Sequence, residues 1–222
     1  MSGTDTAACP PVAAGSAARR LGSRFAGALS WMAAAFAVSL ALTAIVLAVY
    51  GASETGTALA RRTTARWCFL MFWPAYAGSA LAKFGGPRFA ALARHSRAFG
   101  LAFAAALSVH VGLVLWLLYV AADQRTLMLF FWAGVACTYL LALFSLPRLR
   151  NWLGPRLWRR ASEAAMQYIA LVFAVDFIVD PLQASGVDRY PLSYLPFVVM
   201  VVGGAVLRIA AQLRRQATAS KA

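Results

Sequence analysis

The sequence predicts an all-α fold, a bundle of six transmembrane helices with both the N-terminus and the C-terminus in the cytoplasm. Of its 222 residues, 62% are hydrophobic and only 13% are charged, and the mean hydropathy is +0.69. Soluble domains carry about 25% charged residues, so lipid must cover much of this chain. The apolar residues are also grouped into runs that basic clusters separate, as in multi-pass membrane proteins.

The chain divides into three regions. Residues 1–25 are rich in Ala, Ser, Gly and Pro and are expected to form a disordered cytoplasmic tail. Residues 26–214 form the transmembrane domain, and residues 215–222 form a short basic C-terminal tail. The first apolar stretch is much longer than the core of a signal peptide, which is about 7–15 residues, so a retained first helix is predicted.

Each apolar segment approaches the roughly 20 residues that a helix needs to cross the hydrocarbon core. The second segment is short and contains Pro74, and the fifth carries Glu163 and Asp176. The segments span residues 27–50, 67–82, 98–121, 126–146, 162–180 and 192–212.

The orientation follows from the distribution of Lys and Arg. With the N-terminus inside, the inner regions hold 16 basic residues and the outer loops hold five. This asymmetry obeys the positive-inside rule and indicates a multi-pass protein of a bacterial inner membrane. The net charge of +14 is explained in the same way, so lipid and not nucleic acid is the expected partner.

His110 is the first candidate functional residue, because ionisable side chains inside a membrane are costly and rare. It lies thirteen residues beyond Arg97, or about 20 Å deeper at 1.5 Å per residue. Imidazole on a bundle helix is a common axial ligand of haem iron. The alternative is a neutral histidine that forms a hydrogen bond to a neighbouring helix.

Asp176 and Glu163 are the other ionisable residues of the predicted spans. Asp176 is expected at a depth similar to that of His110, so one hypothesis is an intramembrane His110–Asp176 pair. The other places Asp176 in a watery cleft with Asp180. Glu163 follows Arg159 and Arg160 and is expected to favour the N-terminus of the fifth helix, with a proton-handling role as the alternative.

The third segment resembles the haem-binding helix of the ferric reductase-like transmembrane family. Arg97 and Gly100 precede His110 in the family's Arg-x-x-Gly pattern, with the histidine ten residues after the glycine. The likeness covers about residues 30–215 and is strongest to the bacterial six-helix haem subunit that supplies electrons to a periplasmic methionine sulfoxide reductase. The other matching stretches are Thr55-Gly56, Leu153-Gly154-Pro155, Trp158-Arg159-Arg160 and Pro191-Leu192 through Leu207-Arg208.

The resemblance implies that His110 is an axial ligand of haem b, and His110 is a metal site only if haem is bound. The family's fifth helix carries two further histidines, whereas the matching positions here hold Ser162 and Val175, or Glu163 and Asp176 with a shift of one residue. Only His110 therefore carries over as a ligand.

Two functions follow from these patterns. The first is a membrane electron-transfer subunit that passes electrons from a quinone or a separate flavin reductase to an outer redox partner through haem b. The second is a non-haem scaffold or partner subunit on the same fold, which keeps an intramembrane polar contact at His110. An independent transporter is a weaker alternative, because the sequence has no visible inverted repeat. Motifs of soluble catalysis are absent from the sequence, so any enzymatic role is at most that of an electron-transferring subunit.

Overall fold

The protein is all-helical in the part of the chain that the structure, a computed structural model, describes: residues 12–120, 128–146, 149, 151, 153–179 and 191–219. This part contains six long helices. They are α1 (Val12–Tyr50), α2 (Glu54–Gly85), α3 (Ala90–Val120), α4 (Met128–Phe144), α5 (Pro155–Ala174) and α6 (Pro191–Ala219). One π-helical turn, Val175–Val179, continues α5.

Helix α2 begins earlier than the sequence predicts. The side chain of Ser53 caps the helix by accepting a hydrogen bond from the backbone N–H of Gly56 at 3.3 Å. The predicted second segment starts only at residue 67, because the three arginines before it, Arg61, Arg62 and Arg66, are typical of a loop. These arginines instead lie within α2, and Pro74 also lies inside the helix.

Helices α2 and α3 form an antiparallel hairpin. The turn between them is a 3₁₀ helix, Gly86–Phe89, and Gly86 has a φ of +71°, which suits a residue without a Cβ atom. Phe72 of α2 lies against Phe103 of α3, with 5.3 Å between the ring centroids. Close to the turn, a Cβ atom at Gly78 would lie 3.3 Å from the backbone of Leu92, so the two helices approach closely there.

Helix α2 occupies the centre of the bundle and contacts helices on several sides. The indole Nε1 of Trp67 donates to the carbonyl of Ala35 in α1 at 3.1 Å. The indole of Trp73 donates to the carbonyl of Met200 in α6 at 2.7 Å. Arg66 extends towards the same helix, with its guanidinium carbon 4.7 Å from the ring centroid of Tyr194. These contacts fix α2 relative to its neighbours.

A layer of buried phenylalanine rings fills the middle of the bundle. Its members are contributed by α2, α3, α5 and the π-helical turn, and their ring centroids lie 5.1 to 5.9 Å apart. Each is at most 7% exposed. The aromatic layer consists of Phe69, Phe72, Phe103, Phe173 and Phe177.

Four helical stretches are long and apolar enough to cross a membrane, at residues 27–50, 54–119, 155–179 and 193–214. The second of them contains the whole α2–α3 hairpin, and the shorter helix Leu129–Phe144 is also apolar. The helices expose large apolar side chains on their outer faces, with Leu129 84% exposed. The composition and these faces identify the chain as a membrane protein whose helices contact the lipid bilayer.

The first and the last helix extend into the stretches for which tails are predicted. Helix α1 begins at Val12 and therefore includes part of the stretch assigned to a disordered tail, whereas residues 1–11 lie outside the described residues. Helix α6 continues to Ala219 and includes most of the predicted basic tail. Alanine is the best helix former, and both stretches contain several alanines, which accounts for the added turns.

Candidate functional site

His110 lies in α3 and is almost fully buried, with 5% of its surface exposed. Its Nδ1 atom is 3.0 Å from the hydroxyl of Thr64 in α2. The Thr64 hydroxyl also lies 3.0 Å from the carbonyls of Ala60 and Arg61, one turn earlier in its own helix. A hydroxyl has one proton, which it donates to these carbonyls, so its oxygen accepts from Nδ1–H of the imidazole.

The other neighbours of His110 include the backbone of Arg61 in α2 and an aromatic ring of α4. The ring of Phe131 in α4 lies at a centroid distance of 5.8 Å from the imidazole. The imidazole is therefore oriented by contacts to the hydroxyl of Thr64 and to the backbone of Arg61, both on α2.

Asp176 lies in the π-helical turn that follows α5, and its partner is Arg61. Oδ1 of the carboxylate is 3.9 Å from Nη1 of the guanidinium, and the two side chains are 28% and 26% exposed. A π-helical turn inserts an additional residue and so shifts the direction of the side chains that follow. Here it occurs at the residues that carry the carboxylate towards α2.

The contacts that the structure shows for the two residues of the predicted His110–Asp176 pair are to α2. His110 forms its hydrogen bond to Thr64, and Asp176 forms its ion pair with Arg61. Both partners belong to one turn of α2, three residues apart in the sequence, because α2 lies at the centre of the bundle. We call Arg61, Thr64, His110 and Asp176 the polar cluster. The second hypothesis for Asp176, a cleft shared with Asp180, falls on a residue outside the described part.

The sequence does not predict Arg61 and Thr64 as members of this site, because the arginine-rich stretch that contains them is typical of a loop. A signal was available in the sequence. Residues three apart lie on neighbouring positions of one helix face, and Ser53 is a good cap from which a helix can extend through both.

Glu163 is not in the first turn of the fifth helix, which corrects its predicted role at a helix N-terminus. Helix α5 begins at Pro155, after Gly154, and its first turn contains no acidic residue. Proline is well suited to this first position, because its missing N–H would be unpaired there anyway. Glu163 lies two turns further along and lines a cavity of about 500 Å³.

This cavity lies at the opposite end of the bundle from the polar cluster, beyond the aromatic layer. Residues of α2, α3, α4, α5 and α6 line it, among them Arg97 and Arg208. We call it the basic cavity. The second histidine of the chain, His95, lies in α3 and is exposed, with Nδ1 donating to the carbonyl of Ala91 at 2.9 Å.

The residues around His110 do not fit a haem b that two histidines hold. The two registers of α5 place Ser162 and Val175, or Glu163 and Asp176, at the family's ligand positions, and Asp176 is paired with Arg61. The basic cavity is large, but His110 is not among its lining residues. Among the described residues, no group of three or more His, Cys, Asp or Glu side chains is placed to hold a metal ion.

Comparisons with known proteins identify no relative of this chain. The chain matches no family model, and neither a curated protein nor a solved structure gives a match.

Proposed function

We propose that this chain is a six-span protein of a bacterial inner membrane on a ferric reductase-like scaffold. The helical stretch 54–119 has 66 residues and would be about 99 Å long if straight, several times the thickness of a hydrocarbon core. Its hairpin turn divides it into two spans, α2 and α3. Helix α4 is shorter than a typical span, and local thinning of the bilayer accommodates such a helix at modest cost.

Both termini lie in the cytoplasm in this proposal, which the excess of basic residues in the inner regions supports. Single cysteines introduced into a variant without the native cysteines test it. Ala52→Cys, between α1 and α2, should react with a membrane-impermeant maleimide in intact cells. Arg88→Cys, in the hairpin turn, should react only after permeabilisation. The opposite labelling pattern would refute the proposed orientation.

The proposed role is that of a non-haem membrane scaffold or partner subunit, not an electron carrier. The observation that carries it is the environment of His110, whose Nδ1 is used by Thr64 and whose ring packs against Phe131. The polar cluster links α3 and the end of α5 to α2, and hydrogen bonds between helices of this kind stabilise membrane bundles. A role in holding the bundle together accounts for every member of the cluster.

The test is a reduced-minus-oxidised visible spectrum of the full chain, purified in detergent after expression with excess haem precursor. Wild type, His110→Ala and His95→Ala are compared, the last serving as the matched control because it removes the other histidine. The proposal predicts no Soret or α-band in any of the three proteins. Bands that are present in wild type and His95→Ala and absent in His110→Ala would overturn it.

One observation favours electron transfer as the second candidate. A metal-binding imidazole commonly uses one nitrogen for the metal and donates the other N–H to an oxygen, as His110 does to Thr64. Haem b bound there would supply one-electron chemistry between a quinone or flavin protein and an outer redox partner. In that case the α-band would also change in Thr64→Val, because loss of the hydrogen bond alters the basicity of the ligand.

A further inference from the structure

The basic cavity has a polar rim and an apolar floor. Its floor is closed by Phe72, Phe103 and Ile169, which are 1%, 4% and 3% exposed. Its rim carries Arg97 and Glu163, which are six residues from Phe103 and Ile169 on their respective helices. At 1.5 Å per residue, the rim and the floor are about 9 Å apart. A molecule that fits this cavity must therefore have a polar end and an apolar end.

Two guanidinium groups are held at fixed places along the rim. Nη2 of Arg97 donates to the carbonyl of Ser145, directly after α4, at 2.8 Å. Nη1 of Arg208 donates to the carbonyl of Tyr76 at 3.4 Å, and its guanidinium carbon lies 4.6 Å from the ring centroid of the same tyrosine. These contacts orient the two cations, one on α3 and the other on α6.

The charge of the lining favours an anion. Two arginines and one carboxylate, that of Glu163, line the cavity, together with the hydroxyl groups of Ser79 and Ser96. Guanidinium groups recognise phosphate by paired, charge-assisted hydrogen bonds. Basic pockets between transmembrane helices are a known way to bind lipid head groups. The volume also lies within the range of about 300–1,000 Å³ that is usual for ligand pockets.

We propose that the basic cavity binds an anionic phospholipid, with the lipid phosphate at Arg97 and Arg208 and the beginning of an acyl chain against the apolar floor. Glu163 then accepts a hydrogen bond from a hydroxyl of the head group, as phosphatidylglycerol would provide. This site goes beyond the proposed scaffold role and is independent of whether His110 binds haem.

Native mass spectrometry of the full chain tests the site with three lipid probes: phosphatidylglycerol, phosphatidylethanolamine and phosphatidylcholine. Wild type should retain phosphatidylglycerol in preference to the other two. The double variant Arg97→Gln/Arg208→Gln should bind it at least about tenfold more weakly for each guanidinium lost, since hydrogen bonds to charged groups are the strong ones. The control Arg94→Gln/Arg160→Gln removes the same charge from exposed residues of α3 and α5 outside the lining and should bind as wild type does.

Two further measurements distinguish the chemistry of the ligand. Ala142→Phe fills the cavity without a change of charge and should also reduce retention of phosphatidylglycerol. Free glycerol phosphate in large molar excess should not compete, because it lacks the apolar part. Effective competition would assign the site to a soluble phosphate compound and overturn the lipid proposal.

The proposal is also overturned if the double variant and its control lose phosphatidylglycerol equally, because binding would then reflect the general charge of this end of the bundle. A preference for phosphatidylethanolamine that Glu163→Gln abolishes would overturn it as well, since the carboxylate would then bind an ammonium group.

Discussion

The hydrogen bond between His110 and Thr64 allows a quantitative test, because α2 contains a second buried threonine with a different environment. Thr64 and Thr57 are both 0% exposed. The hydroxyl of Thr64 lies 3.0 Å from Nδ1 of His110, whereas the hydroxyl of Thr57 is buried without a hydrogen-bond partner in the described part of the chain. Replacing either residue with valine keeps the shape and removes the hydroxyl.

The two substitutions should have different effects on the free energy of unfolding. Thr64→Val removes the hydroxyl that pairs with the buried Nδ1 of His110. Loss of a buried hydrogen-bond partner costs about 1–3 kcal/mol in soluble proteins. Measured hydrogen bonds between transmembrane helices are weaker, about 0.6 kcal/mol on average and at most about 1.7 kcal/mol, so a loss of about 1 kcal/mol is expected. Thr57→Val removes a buried hydroxyl that has no partner, so its effect should be neutral or stabilising.

Thermal unfolding in detergent, followed by tryptophan fluorescence, measures the difference. For a chain of this size, 1 kcal/mol corresponds to a shift of about 2–4 °C in the unfolding midpoint. A double-mutant cycle with His110→Phe isolates the pair, because Thr64→Val should cost little once the imidazole is absent. Equal shifts for Thr64→Val and Thr57→Val would refute the hydrogen bond as a stabilising contact.

Three further predictions concern packing and charge. Gly204→Ala should destabilise the bundle by about 1–3 kcal/mol, since the added methyl group would lie 3.1 Å from the indole nitrogen of Trp73 in α2. Its control in the same unfolding assay is Gly203→Ala, which should be neutral or stabilising because no atom lies within 4 Å of the added methyl group. Asp176→Asn should lower the free energy of unfolding by only about 0.5 kcal/mol, because both partners of its ion pair are about a quarter exposed. In a salt titration, this difference from wild type should disappear at high ionic strength. Phe69→Ala, in the aromatic layer, should cost about 3–5 kcal/mol, whereas the 40% exposed Phe36→Ala should cost clearly less in a parallel denaturation series; similar costs would contradict a packed layer.

The long apolar runs predict the helices well, because burial of backbone groups in lipid forces helical structure. The residues at which the helices begin and end are predicted less well from the sequence. The first turns of α2 are not predicted, because they contain three arginines and a charged stretch between apolar runs is typical of a loop. Contacts of α2 with the π-helical turn and with α6 show why the arginines are tolerated, as Arg61 reaches Asp176 and Arg66 stacks on Tyr194.

The candidate site was predictable in its residues but not in its pairings. The rarity of buried ionisable groups identified His110 and Asp176 from the sequence alone. Their hydrogen-bond and ion-pair partners depend on the rotation of each helix about its axis and on which helix lies in the centre. The hydropathy of the sequence determines neither of these. The π-helical turn at Asp176 changes the direction of that side chain and has no recognisable sequence pattern.

The aromatic layer has an electrical consequence for a membrane that carries a voltage. The rings Phe69, Phe72, Phe103, Phe173 and Phe177 form a dense apolar partition between the polar cluster and the basic cavity. A potential falls mainly where the dielectric constant is lowest, so part of the drop occurs across this partition. A charge in the basic cavity therefore experiences only part of the voltage, whereas one that crosses the whole membrane gains or loses about 2.3 kcal/mol for each 100 mV.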